Sequence, residues 1–192
     1  MIQTKPLKKA DKKNYITSKE DLKTFFSEEY YNSINYTDYT SRIEKYKRTA
    51  LDFYTHFSMT EATTVLDYGC AIGMLQNGLE KVGVKDTIGF EISEWAISNP
   101  INNILKLTMN PSVLSLNYDY AFSLDVFEHM FDSDVTNVLE SLQAKNLIVR
   151  IPVKLIDNDD FYLAVSRKDK SHVNCKTKGG WIDFIEKYNY KF

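Results

Sequence analysis

The chain has 192 residues and a formal net charge of −2, with 43% hydrophobic and 26% charged residues. This length and composition fit one folded domain with a sizeable core and exclude a disordered or fibrous chain. The slightly acidic balance argues against a general nucleic-acid-binding surface, and no apolar run is long enough to span a bilayer. The first residues lack the apolar segment of a secretory signal, so we expect a cytoplasmic protein without membrane contact.

The N-terminal part of the chain is predicted to be helical and to precede the main fold. Residues 1–17 are rich in lysine and are expected to form a basic mobile tail. Residues 18–60 are expected to form a helical lid. Its first helix covers about 17–32 with Ser18 as the N-cap, and its second helix covers about 40–57.

Strands and helices alternate through the remainder, 61–192, which we treat as the core of a single domain, 1–192. The strands are predicted at 63–68, 86–92, 103–108, 118–126 and 146–153, and the helices at 72–82, 93–98, 132–143 and 178–188. This alternation predicts an α/β fold of the Rossmann-like, doubly wound type, with a mostly parallel sheet and helices on both faces.

The last four residues, 189–192, are predicted to begin a sixth strand. Because the chain stops at Phe192, the sequence leaves open a sheet that is shortened at its C-terminal strands. Such a sheet would have an edge that a second subunit or the N-terminal segment could cover, so a homo-oligomer is one expectation.

The stretch "TTVLDYGCAIGML", residues 63–75, reads as a buried strand, a glycine loop and the start of a helix. It departs from the dinucleotide fingerprint, because Ala71 and Met74 stand where the second and third glycines would be. Asp67 would also repel a pyrophosphate, whereas it would attract the ammonium and sulfonium of S-adenosylmethionine. Glu91, at the end of the second strand and 22 residues after Gly69, is placed to accept from ribose hydroxyls.

The two cysteines offer no sign of a metal site. Cys70 and Cys175 lack the spacing of zinc or iron–sulfur ligands, so we expect reduced thiols and no bound metal. Cys70 lies inside the glycine loop, where its small size is expected to matter more than its sulfur.

Three segments in order, "VLDYGCAIG", "IGFEISEWAI" and "YDYAFSLDVFEHM", resemble the class I S-adenosylmethionine-dependent methyltransferases of the small-molecule type. They are similar to the first motif of that superfamily, to its strand-two acid and to the D-x-x-E-H that is common after strand four. The resemblance covers about residues 60–153. It is specific for fold and cofactor and carries no information on the acceptor.

The resemblance implies a set of cofactor contacts, in which the Asp67 carboxylate lies near the methionine ammonium and the Glu91 carboxylate holds the ribose. The full set is Asp67, Gly69, Cys70, Ala71, Gly73, Glu91, Ile92, Leu124 and Asp125. Related enzymes often place an acid after strand three, but this chain has none there. Adenine would then be held by backbone groups, by water, or by Thr108 or Asn110.

The lid and two histidines complete the predicted site. In similar enzymes a lid precedes the fold, so Tyr39 and Arg42 are predicted to meet the cofactor carboxylate, with helix packing as the alternative. His172 lies after strand five, where similar enzymes build the acceptor pocket, and it is the first candidate for a general base. His129 is the second candidate, and a structural role for it and Glu128 is the alternative.

The sequence therefore predicts a methyltransferase that moves a methyl group from S-adenosylmethionine to an oxygen or nitrogen of a small metabolite or sugar. One alternative is a protein that binds or degrades the cofactor without methyl transfer. A nucleic-acid methyltransferase is disfavoured because "LDVFEHM" replaces the Asn/Asp-Pro-Pro-aromatic motif of such enzymes. A nicotinamide oxidoreductase is disfavoured by Asp67 and by the missing third glycine. The expected partner is a small-molecule acceptor.

Overall fold

The computed structural model describes residues 16–32 and 42–192. Its five strands form one sheet in the order β3-β2-β1-β4-β5, and all neighbouring strands are parallel. The strands are β1 (Thr64–Tyr68), β2 (Asp86–Phe90), β3 (Leu107–Thr108), β4 (Tyr118–Leu124) and β5 (Ala144–Arg150). The predicted parallel α/β sheet is confirmed.

Eight α-helices lie in the described residues. They are α1 (Lys19–Phe25), α2 (Glu28–Tyr31), α3 (Ile43–His56), α4 (Met74–Lys81), α5 (Glu94–Ser98), α6 (Asp132–Ser141), α7 (Ala164–Lys168) and α8 (Lys178–Ile185). The Ser18 hydroxyl caps α1 by accepting from the Asp21 amide at 3.1 Å, and Ser93 caps α5 in the same way. None of these helices is long and apolar enough to cross a membrane.

The two faces of the sheet are covered by different helices, because alternate residues of each strand point to opposite sides. On one face Val65 and Phe122 pack against α3 and α4. On the other face Leu66 packs with Phe127 and with Trp181 of α8. Burial on both faces explains why the apolar residues Val65 and Leu66 of β1 are consecutive rather than alternating with polar ones.

Chain order reverses between β1 and β4, because β2 follows β1 on one side and β4 lies on the other. In open α/β sheets, ligands bind beyond the carboxyl ends of the strands at such a switch point. The loops after β1, β2 and β4 meet there, and each carries one of the three sequence motifs.

Three details differ from the sequence predictions. The single helix expected over 17–32 is divided at Phe26–Ser27 into α1 and α2. The third strand is reduced to two residues, because the Leu105 amide donates to the Asn102 carbonyl and closes a turn where the strand was expected to begin.

The predicted sixth strand at 189–192 is wrong. A 3-10 turn, Glu186–Tyr188, follows α8, and Asn189 ends it with a positive φ of 69° rather than the extended backbone of a strand. The Tyr190 hydroxyl then donates to the Leu142 carbonyl at 3.3 Å, and the Phe192 amide donates to Glu186. The final residues therefore pack beside α6 and α8 and do not extend the sheet.

Candidate active site

The glycine loop after β1 is fastened to the end of β2. The Gly69 and Cys70 amides both donate to the Phe90 carbonyl, at 2.8 and 3.1 Å. Gly69 has a φ of +77°, a left-handed conformation that glycine adopts without steric cost. These bonds hold the loop beside the carboxyl end of β2, directly before Glu91.

Gly69 also lies where a side chain does not fit. A Cβ added there would be 2.4 Å from Val126 Cγ2, and the positive φ adds strain. We expect Gly69→Ala to lower the free energy of unfolding by about 1–3 kcal/mol, through overpacking and the left-handed backbone. Urea denaturation would measure this loss.

The matched control is Gly179→Ala in α8, where an added Cβ meets nothing within 4 Å. Alanine is favoured over glycine in a helix, so this variant should be as stable as the wild-type chain or slightly more stable. Equal stability of the Gly69→Ala variant and wild type would contradict the proposed clash.

The Glu91 carboxylate, directly after β2, accepts hydrogen bonds from three backbone amides. One carboxylate oxygen accepts from the Ala71 amide at 2.8 Å, and the other accepts from the Ile92 and Ser93 amides at 2.7 and 2.9 Å. The side chain is only 6% exposed. Burial raises the pKa of Glu91, and the three amides act in the opposite direction. Sequence reasoning expected the ribose contact but not this bracing of the glycine loop.

Asp67, at the end of β1, is a second buried acid beside Glu91. It is 4% exposed, and burial together with the negative charge of Glu91 raises its pKa to about 7. A carboxylate in this position gains the most from a cationic ligand, because the cation offsets both the lost hydration and the neighbouring charge.

A cavity of about 800 Å³ opens at the switch point, between these acids and the loop after β4. Its size falls in the range of small-molecule sites. Ten of the predicted site residues line it: Arg42, Asp67, Gly69, Cys70, Ala71, Glu91, Ile92, Leu124, Asp125 and His129. The structure thus brings together residues from four separate segments of the sequence.

Two predicted residues are placed differently, and a third cannot be compared. Gly73 is the N-cap of α4 and lies against Leu105 and Leu107, and it does not belong to the described cavity lining. His172 lies behind His129 and likewise does not belong to that lining, although the two ring centroids are 4.6 Å apart. Tyr39 lies outside the described residues.

Asp125 lines the cavity, but its carboxylate is bound by Arg150 of β5. The Arg150 Nε and Nη2 atoms donate to the two Asp125 oxygens at 2.9 and 2.6 Å. Asp125 also has a positive φ of 61°, and its amide donates to the Arg150 carbonyl. This two-point contact fixes the turn after β4.

Helices α1 and α2, which belong to the segment predicted as a lid, form one side of the cavity. Leu22, Phe26, Tyr30 and Tyr31 line it from this side. Lys19 forms an ion pair with Asp134 of α6, the Ser93 hydroxyl donates to the Phe26 carbonyl at 2.6 Å, and Tyr31 stacks on Trp95. The lid is therefore attached to both sides of the switch point.

Sequence reasoning missed two parts of the cavity wall. One is the 3-10 turn after β3, where Met109, Pro111 and Ser112 line the cavity and Thr108 and Asn110 do not. The side chains of Thr108 and Asn110 accept from backbone amides of the turn instead. The other part is α6, through residues such as Asn137 and Val138; only its amphipathic pattern was visible in the sequence.

Polar side chains from two distant segments meet beside His129. The His129 Nδ1 atom lies 2.8 Å from the Ser171 hydroxyl, which is 2.5 Å from Asp169 Oδ1. His172 Nε2 lies 3.8 Å from Asp169 Oδ2. Burial lowers the pKa of His129, and burial raises the pKa of Glu128 well above its usual range.

The family comparison agrees with this geometry. A profile of the family described as "Methyltransferase domain" matches residues 19–147, which include the lid, the glycine loop, both acids and the loop after β4. The chain belongs to this methyltransferase family. Its cofactor is accordingly S-adenosylmethionine, as the sequence predicted. A search of the curated proteins found no match.

Solved structures share the fold of this methyltransferase at low sequence identity. Magnesium protoporphyrin IX methyltransferase from Synechocystis PCC 6803, with bound SAH, is 14% identical with a TM-score of 0.65, over 91% of this chain and 90% of that one. A SAM-dependent methyltransferase from Archaeoglobus fulgidus is 15% identical with a TM-score of 0.60, over 80% and 75%. The [4+2]-cyclase SpnF is 13% identical with a TM-score of 0.57, over 74% and 56%.

The residues of the cavity fit S-adenosylmethionine. Asp67 offers a buried carboxylate to an ammonium, and Gly69 lines the same cavity. Ile92 is 38% exposed on the cavity wall, where it offers an apolar surface to a base. The donor and acceptor chemistry of the cavity therefore suits a cationic nucleoside.

Proposed function

We propose that this methyltransferase transfers a methyl group to an oxygen or nitrogen of a small metabolite. The observation that carries the proposal is the cavity of about 800 Å³, with the two buried acids on its floor. A concave cavity of this volume, lined on one side by α1 and α2, is the usual size of a small-molecule site. The net charge of −2 also argues against a nucleic-acid acceptor.

The lining beyond the two acids is mostly apolar. Leu22 and Phe26 contribute from the lid, Leu114 from the turn after β3, and Met130 from the segment after β4. These side chains offer dispersion contacts and few hydrogen bonds, so they suit an acceptor with an apolar body better than a bare sugar.

The protein's part in methyl transfer is positioning. The cofactor supplies an activated methyl group, so the chain has to align the acceptor with it and exclude water. Glu91 fastens the glycine loop after β1, and the two-point contact of Arg150 with Asp125 fastens the turn after β4. His129 is the predicted base that lies on the cavity wall.

Incubation of the full chain with S-adenosylmethionine and a library of small hydroxyl, phenol and amine compounds tests this function. We expect acceptor-dependent release of S-adenosylhomocysteine for compounds with an apolar body. Tight binding of S-adenosylhomocysteine with no release for any acceptor would favour the alternative of cofactor binding without transfer. That outcome would be compatible with the fold, because one of the structural neighbours is named as a cyclase and not as a methyltransferase.

The predicted base can be tested once an acceptor is known. His129→Gln should lower kcat by about 10²-fold or more at neutral pH, because proton transfer by a positioned side chain contributes about that much. His56→Gln in α3 is the control, since His56 is exposed and remote from the cavity lining. An unchanged kcat in the His129→Gln variant would remove it from the chemistry.

A further inference from the structure

Glu128, His129 and His172 form a cluster that the cofactor contacts do not use. One ligand atom from each of the three lies within 4.8 Å of the other two. Glu128 and His129 belong to the 3-10 turn Phe127–His129 after β4, and His172 comes from the loop after α7. Neither the cysteine spacing nor any local motif predicted this cluster.

The Glu128 carboxylate has an unusual environment. Its side chain is 0% exposed, and neither oxygen has a hydrogen-bond partner among the described residues. A proton on this carboxyl would remove its charge but would leave the new hydroxyl without an acceptor in the same set. Buried polar groups are almost always satisfied, so an unsatisfied carboxylate points to a missing ion or water.

The hydrogen bonds around His129 assign its tautomer. The Ser171 hydroxyl has one proton, and its 2.5 Å contact with Asp169 Oδ1 uses that proton because a carboxylate only accepts. The Ser171 oxygen therefore accepts from His129 Nδ1–H at 2.8 Å. This leaves a lone pair on His129 Nε2. Metal-binding histidines usually donate their other ring N–H to a hydrogen-bond acceptor such as a carboxylate, which fixes the orientation of the ring; here the Ser171 hydroxyl connects His129 to the Asp169 carboxylate.

The loop that carries His172 is fixed to the turn that carries the other two side chains. The Asn174 amide donates to the Glu128 carbonyl at 3.0 Å, and the Asn174 side chain donates to the Met130 carbonyl at 2.9 Å. The three side chains are thus held together before any ligand binds, which reduces the ordering cost of binding.

We propose that Glu128, His129 and His172 bind one divalent first-row transition metal ion. Two imidazoles and one carboxylate are a donor set that suits such ions, whereas magnesium and calcium prefer oxygen ligands alone. Ligand atoms bound to one zinc ion lie about 3.3 Å apart, given bonds of about 2.0–2.1 Å, so the side chains have to move inward only slightly.

The position of the cluster gives this ion a use. His129 also lines the cavity, so the ion lies at the cavity wall. Three protein ligands leave a coordination position for an acceptor oxygen or nitrogen, and a bound hydroxyl gives up its proton to water more readily. With the ion bound, His129 Nε2 is a metal ligand, so the ion takes the place of His129 as the group that activates the acceptor. This second step rests on the proposed function, whereas metal binding itself does not.

Cobalt titration of the chelator-treated full chain tests the site without an activity assay. We expect one equivalent of Co²⁺ to produce visible d–d absorption bands, Zn²⁺ to displace it, and Mg²⁺ in excess to have no effect. Glu128→Gln and His172→Asn should weaken Co²⁺ binding about 100-fold or more, and Ser171→Ala about 10–100-fold through the lost support of His129. His56→Asn, an exposed histidine in α3, is the matched control and should bind like wild type.

Two results would overturn the proposal. We expect a dissociation constant for Co²⁺ of about 1 μM. One overturning result is therefore the absence of Co²⁺ bands in the wild-type chain at about 100 μM metal, a concentration about a hundred times that constant. The other is unchanged binding in both Glu128→Gln and His172→Asn, with circular dichroism showing that they are folded. Methyl transfer is measured in a separate assay. Metal binding without any transfer would contradict the proposed function but not the proposed metal site.

Discussion

Replacing Glu91 with alanine will weaken binding of S-adenosylhomocysteine by about 1–3 kcal/mol and will also destabilise the ligand-free chain. The cofactor loses charge-assisted acceptors for its ribose. Independently, the amides of Ala71, Ile92 and Ser93 lose their partner, and each buried amide left unsatisfied costs about 1–3 kcal/mol. Calorimetry with S-adenosylhomocysteine and urea denaturation without ligand measure the two effects separately.

The matched control for Glu91 is Glu94→Ala. Glu94 is an exposed acid in the first turn of α5, three residues further on, and its removal should change both quantities little. If Glu91→Ala lowers ligand-free stability while the affinity of the folded protein is unchanged, Glu91 only braces the glycine loop. That outcome would contradict the predicted ribose contact.

Binding of S-adenosylmethionine will strengthen as the pH rises from about 5 to 7. The pKa of Asp67 is raised to about 7 in the ligand-free protein, so its carboxyl is protonated over most of this range. The ligand ammonium favours the charged form, so binding releases a proton below pH 7. The affinity should then rise by up to about tenfold per pH unit and level off above pH 7.

Calorimetry in buffers of different ionisation enthalpy counts the released proton. Other titratable groups near Asp67 are Glu91 directly after β2, Tyr46 from α3 and Cys70 in the loop. Asp67→Asn is the decisive variant: it should bind more weakly at pH 8 and show a flattened pH dependence. A full pH dependence in that variant would assign the proton to Glu91 instead.

The same pKa has an opposite consequence for stability. A folded-state pKa above the ordinary value of 3.8 means that Asp67 binds its proton more tightly in the folded chain. Its contribution to stability is therefore largest below about pH 4 and is lost as the pH rises to about 7. The acid that is predicted to bind the cofactor ammonium thus costs stability at neutral pH, as is common at functional sites.

The sequence by itself determined the fold class and the cofactor, and it predicted the two acids, Asp67 and Glu91, that line the cavity. These depend on local patterns: continuous apolar runs for strands buried on both faces, a glycine loop after the first strand, and carboxylates directly after strands. Ser18 and Ser93 are capping residues for the same reason, since a cap bonds an amide three residues ahead. The oligomeric state, the cytoplasmic location and the contact of Tyr39 remain predictions.

Only the tertiary structure decided which distant side chains meet. Ser171 approaches His129 across 42 residues of sequence, and Lys19 reaches Asp134 across 115. The first contact depends on the course of the loop after β5, and the second depends on where α1 packs. Neither arrangement produces a periodic pattern in the sequence. For the same reason the turn at Asn189 and the placement of His172 behind His129 were not predictable, because loop geometry depends on what the loop packs against.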